Sequence, residues 1–162
     1  MFLYVNILLV NYLNKVSNSI INSIKKGGKL LICGNGGSAA QAMHFAAELI
    51  GKYQYGMLER RGLPAIALTA NVSSLTAISN DWGFDYVFSR QVEALGNKGD
   101  ILFVISTSGK SRNCLEAVKI AREKGLEVID LARNHGKTAA EIQEYQLKLI
   151  HQLTGKIEKA FL

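Results

Sequence analysis

The chain is poor in several residue types, and each shortage narrows what it can be. Its 162 residues include two cysteines, one proline, one tryptophan and three histidines. Cys33 and Cys114 stand far apart in the chain and form no CxxC motif, so they read as free thiols in a reducing, cytoplasmic setting. Long apolar runs are missing too. The apolar start MFLYVNILLVNYLNK is too short and too interrupted by asparagine to span a bilayer, and it lacks the basic n-region and small-residue cleavage site of a signal peptide. It reads as a packed helix at a subunit interface, with no membrane role. The formal net charge is +6, a basic balance that favours acidic ligands. Yet the basic residues are scattered, and the clusters Lys25-Lys26 and Arg60-Arg61 have no interleaved aromatics. They read as solvated surface, and nucleic acid is not expected as a partner. Repeats, low-complexity tracts and linkers are also absent. The chain therefore reads as one domain over residues 1–162, with a helical N-terminal region to about residue 27.

What is present is an alternation of helical and strand-like segments. Apolar positions at helical spacing run over residues 3–25 and stop at Lys26-Gly27-Gly28. Short apolar runs of the buried-strand kind follow at 29–33, 63–69, 101–106 and 126–132. The lone proline, Pro64, suits the start of the second. Helices are expected over 38–50, 73–79, 86–95, 111–124 and from 139 to the C-terminus. Nearly all-apolar strands between helices argue for an α/β fold, a parallel sheet covered on both faces. Ligands of such folds bind outside the carboxyl ends of the strands. Two places qualify, residues 34–38 after the first strand and 106–111 after the third.

The first of these, GNGGSA, satisfies the loose dinucleotide pattern G-x-G-x-x-[GA]. That reading also needs a carboxylate about 20 residues on, at the end of the second strand, and ALTANVSS has none there. A P-loop needs Gly-Lys-[Ser/Thr] opening the helix, and Gly37-Ser38-Ala39 offers no lysine. No nucleotide cofactor is therefore expected. The glycines still allow close backbone approach to a ligand, and the helix start still offers free N–H groups. The second loop, STSGKS, sets four hydroxyls around one glycine at another helix start, more than a cap needs, and reads as a phosphate cradle.

Behind the glycine loop, His44 and Glu48 stand at i and i+4, on one helix face among apolar or small neighbours. Gln143 and His151, about two turns apart, share a broad face of the last helix. Such a set can hold a zinc-like ion, or it can supply acid and base to a substrate. His135, in RNHGK, reads as an exposed turn residue.

These pieces in this order resemble the phosphoheptose isomerases of the sugar isomerase (SIS) family. The matching segments are CGNGGSAAQAMHFAAEL, GLPAIALTA, LTAISNDWGFDYVFSRQVEALG, ISTSGKS and IQEYQLKLIH. The resemblance implies a three-layer sandwich, in which helices flank a parallel, flavodoxin-like sheet and the N-terminal helix packs an oligomer, a homotetramer. It implies isomerisation of sedoheptulose 7-phosphate to D-glycero-D-manno-heptose 7-phosphate, for heptose in bacterial lipopolysaccharide or other surface glycans. Carried over residue by residue, it makes Glu48 and His151 the acid–base pair. Asn35, Gly36, Gly37, Glu48, Asn80, Asp81 and Gln143 contact the substrate, and Ser106, Thr107, Ser108 and Ser111 hold its phosphate. His44, Glu48, Gln143 and His151 become the ligands of one zinc ion per subunit.

Two features depart from that family. Its members usually carry a further strand after the fourth, whereas here ARNHGK runs almost directly into TAAEIQ. A true deletion would expose a sheet edge and could misplace Gln143 and His151. Their kept spacing favours a segment left out between Lys137 and Thr138. Gln146 stands where a histidine is usual, outside the ligand set, and little effect is expected of it. A rival within the family is a non-catalytic protein that binds the bacterial replication initiator. It need not retain the acid–base pair, which this chain keeps. A sugar-phosphate-sensing regulatory domain would usually be joined to a DNA-binding segment, for which this chain has no room.

Overall fold

Side chains of the strands alternate between two apolar layers, and that alternation places everything else. A computed structural model describes residues 2–54, 60–131 and 136–162, with side chains from residue 7 onward. Four strands, β1 (Leu30–Cys33), β2 (Ala65–Ala67), β3 (Ile101–Val104) and β4 (Glu127–Asp130), run parallel in the order β2-β1-β3-β4. Leu30, Ile32, Ile101 and Phe103 point to one layer, and Leu31, Cys33, Leu102 and Val104 to the other. Both layers are buried, which is why these strands read as unbroken apolar runs.

The first layer is closed by three helices: α1 (Phe2–Lys25), α2 (Gly37–Ile50) and, last in the chain, α6 (Ala139–Lys159). Leu13, Val16, Ile20 and Ile24 form the buried stripe of α1 and pack with Leu149, Ile150, Leu153 and Ile157 of α6. The i, i+3, i+4 spacing of both stripes is what made them legible as amphipathic helices. The second layer is closed by α4 (Ser89–Leu95) and α5 (Arg112–Glu123). Between β2 and α4 lie α3 (Val72–Asp81), which has no buried residue, and a 3-10 turn at Phe84–Tyr86. Among the described residues, no helix is long and apolar enough to cross a membrane.

Several boundaries differ from the sequence reading. The expected helix over 86–95 is shorter, because Tyr86 closes a 3-10 turn over Phe84–Tyr86 and the α-helix begins only at Ser89. The second strand shrinks to three residues at the sheet edge. Among the described residues β4 is the other edge of the sheet, and α6 packs beside α1 and α2. A capping box of Thr138 and Glu141 starts it, and α1 and α2 hold its length. Side chains of α1 reach the edge strand: the Tyr12 hydroxyl donates to the Asp130 carbonyl at 3.2 Å and the Ser19 hydroxyl to Glu127 at 2.8 Å. His135 lies outside the described residues.

Candidate active site

Three glycines shape the loop after β1, each for its own reason. A Cβ on Gly34 would stand 2.8 Å from the carbonyl oxygens of both Ile105 and Ser38. Gly36 caps α2 at φ 55, a left-handed conformation that suits glycine, and no side chain caps the helix there. A Cβ on Gly37 would stand 2.5 Å from the carboxamide of Gln143, so its bare Cα is what lets α6 bring that side chain against the start of α2. Asn35 and Asn113 exchange two carboxamide hydrogen bonds, both 2.9 Å, and so tie the glycine loop to the first turn of α5. Beneath them the two thiols, remote in the chain, meet. The hydrogen bond between these free thiols, together with burial, pushes Cys33 well up, and the same hydrogen bond pulls Cys114 down.

The loop after β3 is the second wall. The buried Ser106 hydroxyl oxygen accepts from the Gly109 N–H at 2.9 Å, and that of Ser108 accepts from the Lys110 N–H at 3.1 Å. Both serines thus shape the loop through their hydroxyl oxygens. Ser111 stands at the N-cap of α5 without making a side-chain cap bond. The cluster is therefore more than a helix cap.

Between α2 and α6 the structure brings together His44, Glu48 and His151. His44 Nε2 stands 3.0 Å from His151 Nε2 and 3.1 Å from Glu48 Oε1, and His151 Nε2 stands 3.5 Å from that oxygen. Two ring nitrogens and a carboxylate oxygen thus converge on one point. Ligands about 2.0–2.1 Å from a tetrahedral zinc ion stand about 3.3 Å apart. The three separations here bracket that value, so the group fits a cation of this kind. Gln143, the fourth expected ligand, lies on the same helix two turns before His151, with its carboxamide against Gly37.

Residues the sequence reading passed over hold this group in place. The Tyr53 ring stacks on His151 with centroids 5.6 Å apart. The Thr154 hydroxyl donates to Glu48 Oε2 at 2.9 Å. Arg60, read from the sequence as solvated surface, has a side chain that is 1 % exposed and pairs with Glu158 at 3.0 Å, and its guanidinium also holds the main-chain carbonyls of Glu48 and Leu49. Burial works against the Glu158 carboxylate, but the N–H groups of Tyr53 and Gln54 and the Arg60 guanidinium outweigh it and hold its pKa below the usual range. Gln146 is not peripheral either. It is fully buried and reaches from α6 to the Ser106 carbonyl, at 3.4 Å. Helical spacing from His151 could have singled out Thr154. Nothing in the sequence pairs Arg60 with Glu158, because they meet only where Arg60 packs against α6.

Asn80 and Asp81 are placed differently. They stand exposed at the end of α3, hydrogen-bonded to each other at 2.9 Å. Among the described residues, no hydrogen bond or ion pair joins them to the His44, Glu48 and His151 group.

The model of the SIS domain matches residues 9–132 of this chain. The phosphoheptose isomerase of Helicobacter hepaticus is 51% identical, over 90% of this chain and 81% of its own. That of Synechocystis is 52% identical, over 91% of this chain and 74% of its own. The chain belongs to the phosphoheptose isomerases of the SIS domain family. The structure of the phosphoheptose isomerase from Neisseria gonorrhoeae superimposes with a TM-score of 0.86 at 41% identity, covering 95% of this chain and 89% of that one. The SIS domain fold is thus the architecture described above, and this family member is an enzyme, an isomerase. The family model ends before α6, so it does not itself include His151.

Proposed function

We propose that the chain interconverts sedoheptulose 7-phosphate and D-glycero-D-manno-heptose 7-phosphate, supplying heptose for bacterial lipopolysaccharide or other surface glycans. The observation that supports this most is the convergence of His44, Glu48 and His151 within 4.8 Å of one another, on two helices whose near ends meet the strand-end loops. Aldose–ketose isomerisation needs a base for a carbon-bound proton and a proton carrier at the neighbouring oxygens. In this reading Glu48 takes the proton from C1 of the ketose and returns it to C2 of the enediol. His151 gives a proton to O2 and takes one from O1, a task imidazole suits near neutral pH. Ser106, Thr107, Ser108 and Ser111 hold the phosphate with hydroxyl and backbone donors. Asn35, Gly36, Gly37, Asn80, Asp81 and Gln143 hold the sugar.

His44, Glu48, Gln143 and His151 are the residues that would hold one zinc ion per subunit. When bound, it would polarise the substrate carbonyl. The working form is a cytoplasmic homotetramer of one SIS domain per chain, residues 1–162, with the N-terminal helix at an interface. Exposed apolar side chains support assembly: Ile7, Leu8 and Val10 on α1, and Trp82, Phe84 and Tyr86 near the end of α3. The deciding experiment incubates the zinc-supplemented protein with sedoheptulose 7-phosphate and follows the aldose by NMR. Steady conversion is expected, and its complete absence would sink the isomerase reading.

A further inference from the structure

Glu48 presents two oxygens to two different surroundings. Oε1 faces the ring nitrogens of His44 on its own helix and His151 on α6. Oε2 faces inward, to the hydroxyl of Thr154, three residues beyond His151 on the same helix. Thr154 is 0 % exposed, and the Glu48 side chain is 12 % exposed, so water does not readily replace this partner. The Thr154 oxygen stands 2.9 Å from Glu48 Oε2 and 2.9 Å from the Ile150 carbonyl. One hydroxyl proton cannot serve both acceptors fully. The carboxylate is the stronger acceptor, and the Ile150 carbonyl, one turn back, has the helical N–H of Thr154 in any case. Directing the proton to Glu48 therefore leaves no buried group without a partner. A carboxylate held only at one oxygen keeps a broad, nearly two-fold terminal torsion. Held at Oε2 as well, it has one orientation.

We propose that Thr154 is a positioning residue for the isomerisation: its hydroxyl holds Oε2 of Glu48 and so leaves Oε1 as the atom that meets the reacting carbon and the cation. This inference rests on the reading of Glu48 as the base, but it assigns a role to a residue outside the expected site. Groups that orient a ligating or reacting carboxylate from behind typically change metal affinity or activity 10- to 100-fold when removed.

The test compares wild type, T154V, T154S and E48Q by steady-state turnover of sedoheptulose 7-phosphate and by zinc affinity of the metal-stripped protein against a chromophoric chelator. T154V, which exchanges only hydroxyl for methyl, is expected to lose at least about tenfold in kcat with KM within about twofold, and to bind zinc about tenfold more weakly. T154S, which keeps the hydroxyl, is expected to stay within about threefold of wild type on both readouts. Unchanged kcat and zinc affinity in T154V would overturn the inference. So would an equal loss in T154S, which would assign the effect to packing of the methyl group. If T154V does not fold, T154C takes its place as a weak donor of similar size, and wild-type behaviour from it counts against the role. Loss of activity in E48Q with full activity in T154V removes the Thr154 inference alone. Full activity in E48Q removes the reading of Glu48 and this inference together.

Discussion

Two glycines three residues apart meet different neighbours, and that difference is measurable. At Gly34 an added methyl would press on main-chain oxygens of Ile105 and Ser38, at the end of a buried strand and the start of a helix. Neither can retreat, so Gly34→Ala should destabilise by about 1–3 kcal/mol or more, the usual cost of overpacking. At Gly37 the methyl would press on the Gln143 carboxamide, the free end of a flexible side chain. Gly37→Ala should therefore leave the urea midpoint near wild type but raise KM for the sugar phosphate several-fold, by displacing Gln143. Equal destabilisation of the two variants would show that Gln143 is not what Gly37 makes room for. Ser108 offers a second test at this scale. The residue is exposed at the loop surface, and its hydroxyl oxygen accepts from the Lys110 N–H. Ser108→Ala should raise KM with little change in kcat, and an unchanged KM would count against the phosphate cradle. Residues such as His44 and Glu48 were legible in the sequence because one helix sets their spacing. Tyr53 and Asn113 were not, because each acts on a partner in another element.

At the scale of elements, the least legible feature is a buried ion pair. Arg60 and Glu158 look like ordinary surface charges in the chain. Packing buries both and makes them the clasp between α6, the end of α2 and the segment that carries Tyr53. Removing one partner of such a pair typically costs about 3–5 kcal/mol, since the other charge stays buried and unpaired. Glu158→Gln should show a loss of this order in urea unfolding at pH 7. The pH dependence follows from the lowered pKa of Glu158. A carboxylate held below its unfolded value, about 4.3, contributes its full stability above that pH and loses it as pH falls through the folded value. Wild type should therefore lose stability below about pH 4.3, and the gap between wild type and E158Q should narrow there. A gap that stays constant down to acid pH would exclude the clasp as the source. The strands, by contrast, were visible as apolar runs, most clearly β1 and β3, in which both faces are buried. Their order was not, since nothing local in a strand names its neighbour. The fold class came through periodicity, and the 3-10 turn at Phe84–Tyr86 did not, because a single tight turn is too short to show a period of its own.

At the scale of the molecule, the parallel sheet explains why two loops and two helix starts gather at one end, and it leaves one expected contact unaccounted for. Asn80 and Asp81 sit at the end of a helix that buries no residue of its own and packs on the neighbouring 3-10 turn. Beside them Trp82, Phe84 and Tyr86 are 52%, 60% and 45% exposed. An exposed aromatic patch of this kind marks a surface that another molecule covers. If the covering molecule is a second copy, Asp81 completes a site built around the Glu48 of its neighbour. Light scattering should then show a tetramer, and a stable monomer would contradict it. Complementation gives the sharper test. The variants E48Q and D81N should each be nearly inactive alone. Co-expressed in equal amounts, they form mixed assemblies in which a site is intact when a D81N chain supplies Glu48 and an E48Q neighbour supplies Asp81. Random assembly makes about a quarter of the sites intact, so about a quarter of wild-type activity should return. In assemblies where each chain builds its site alone, no site would be intact, and the mixture would remain as inactive as its parts.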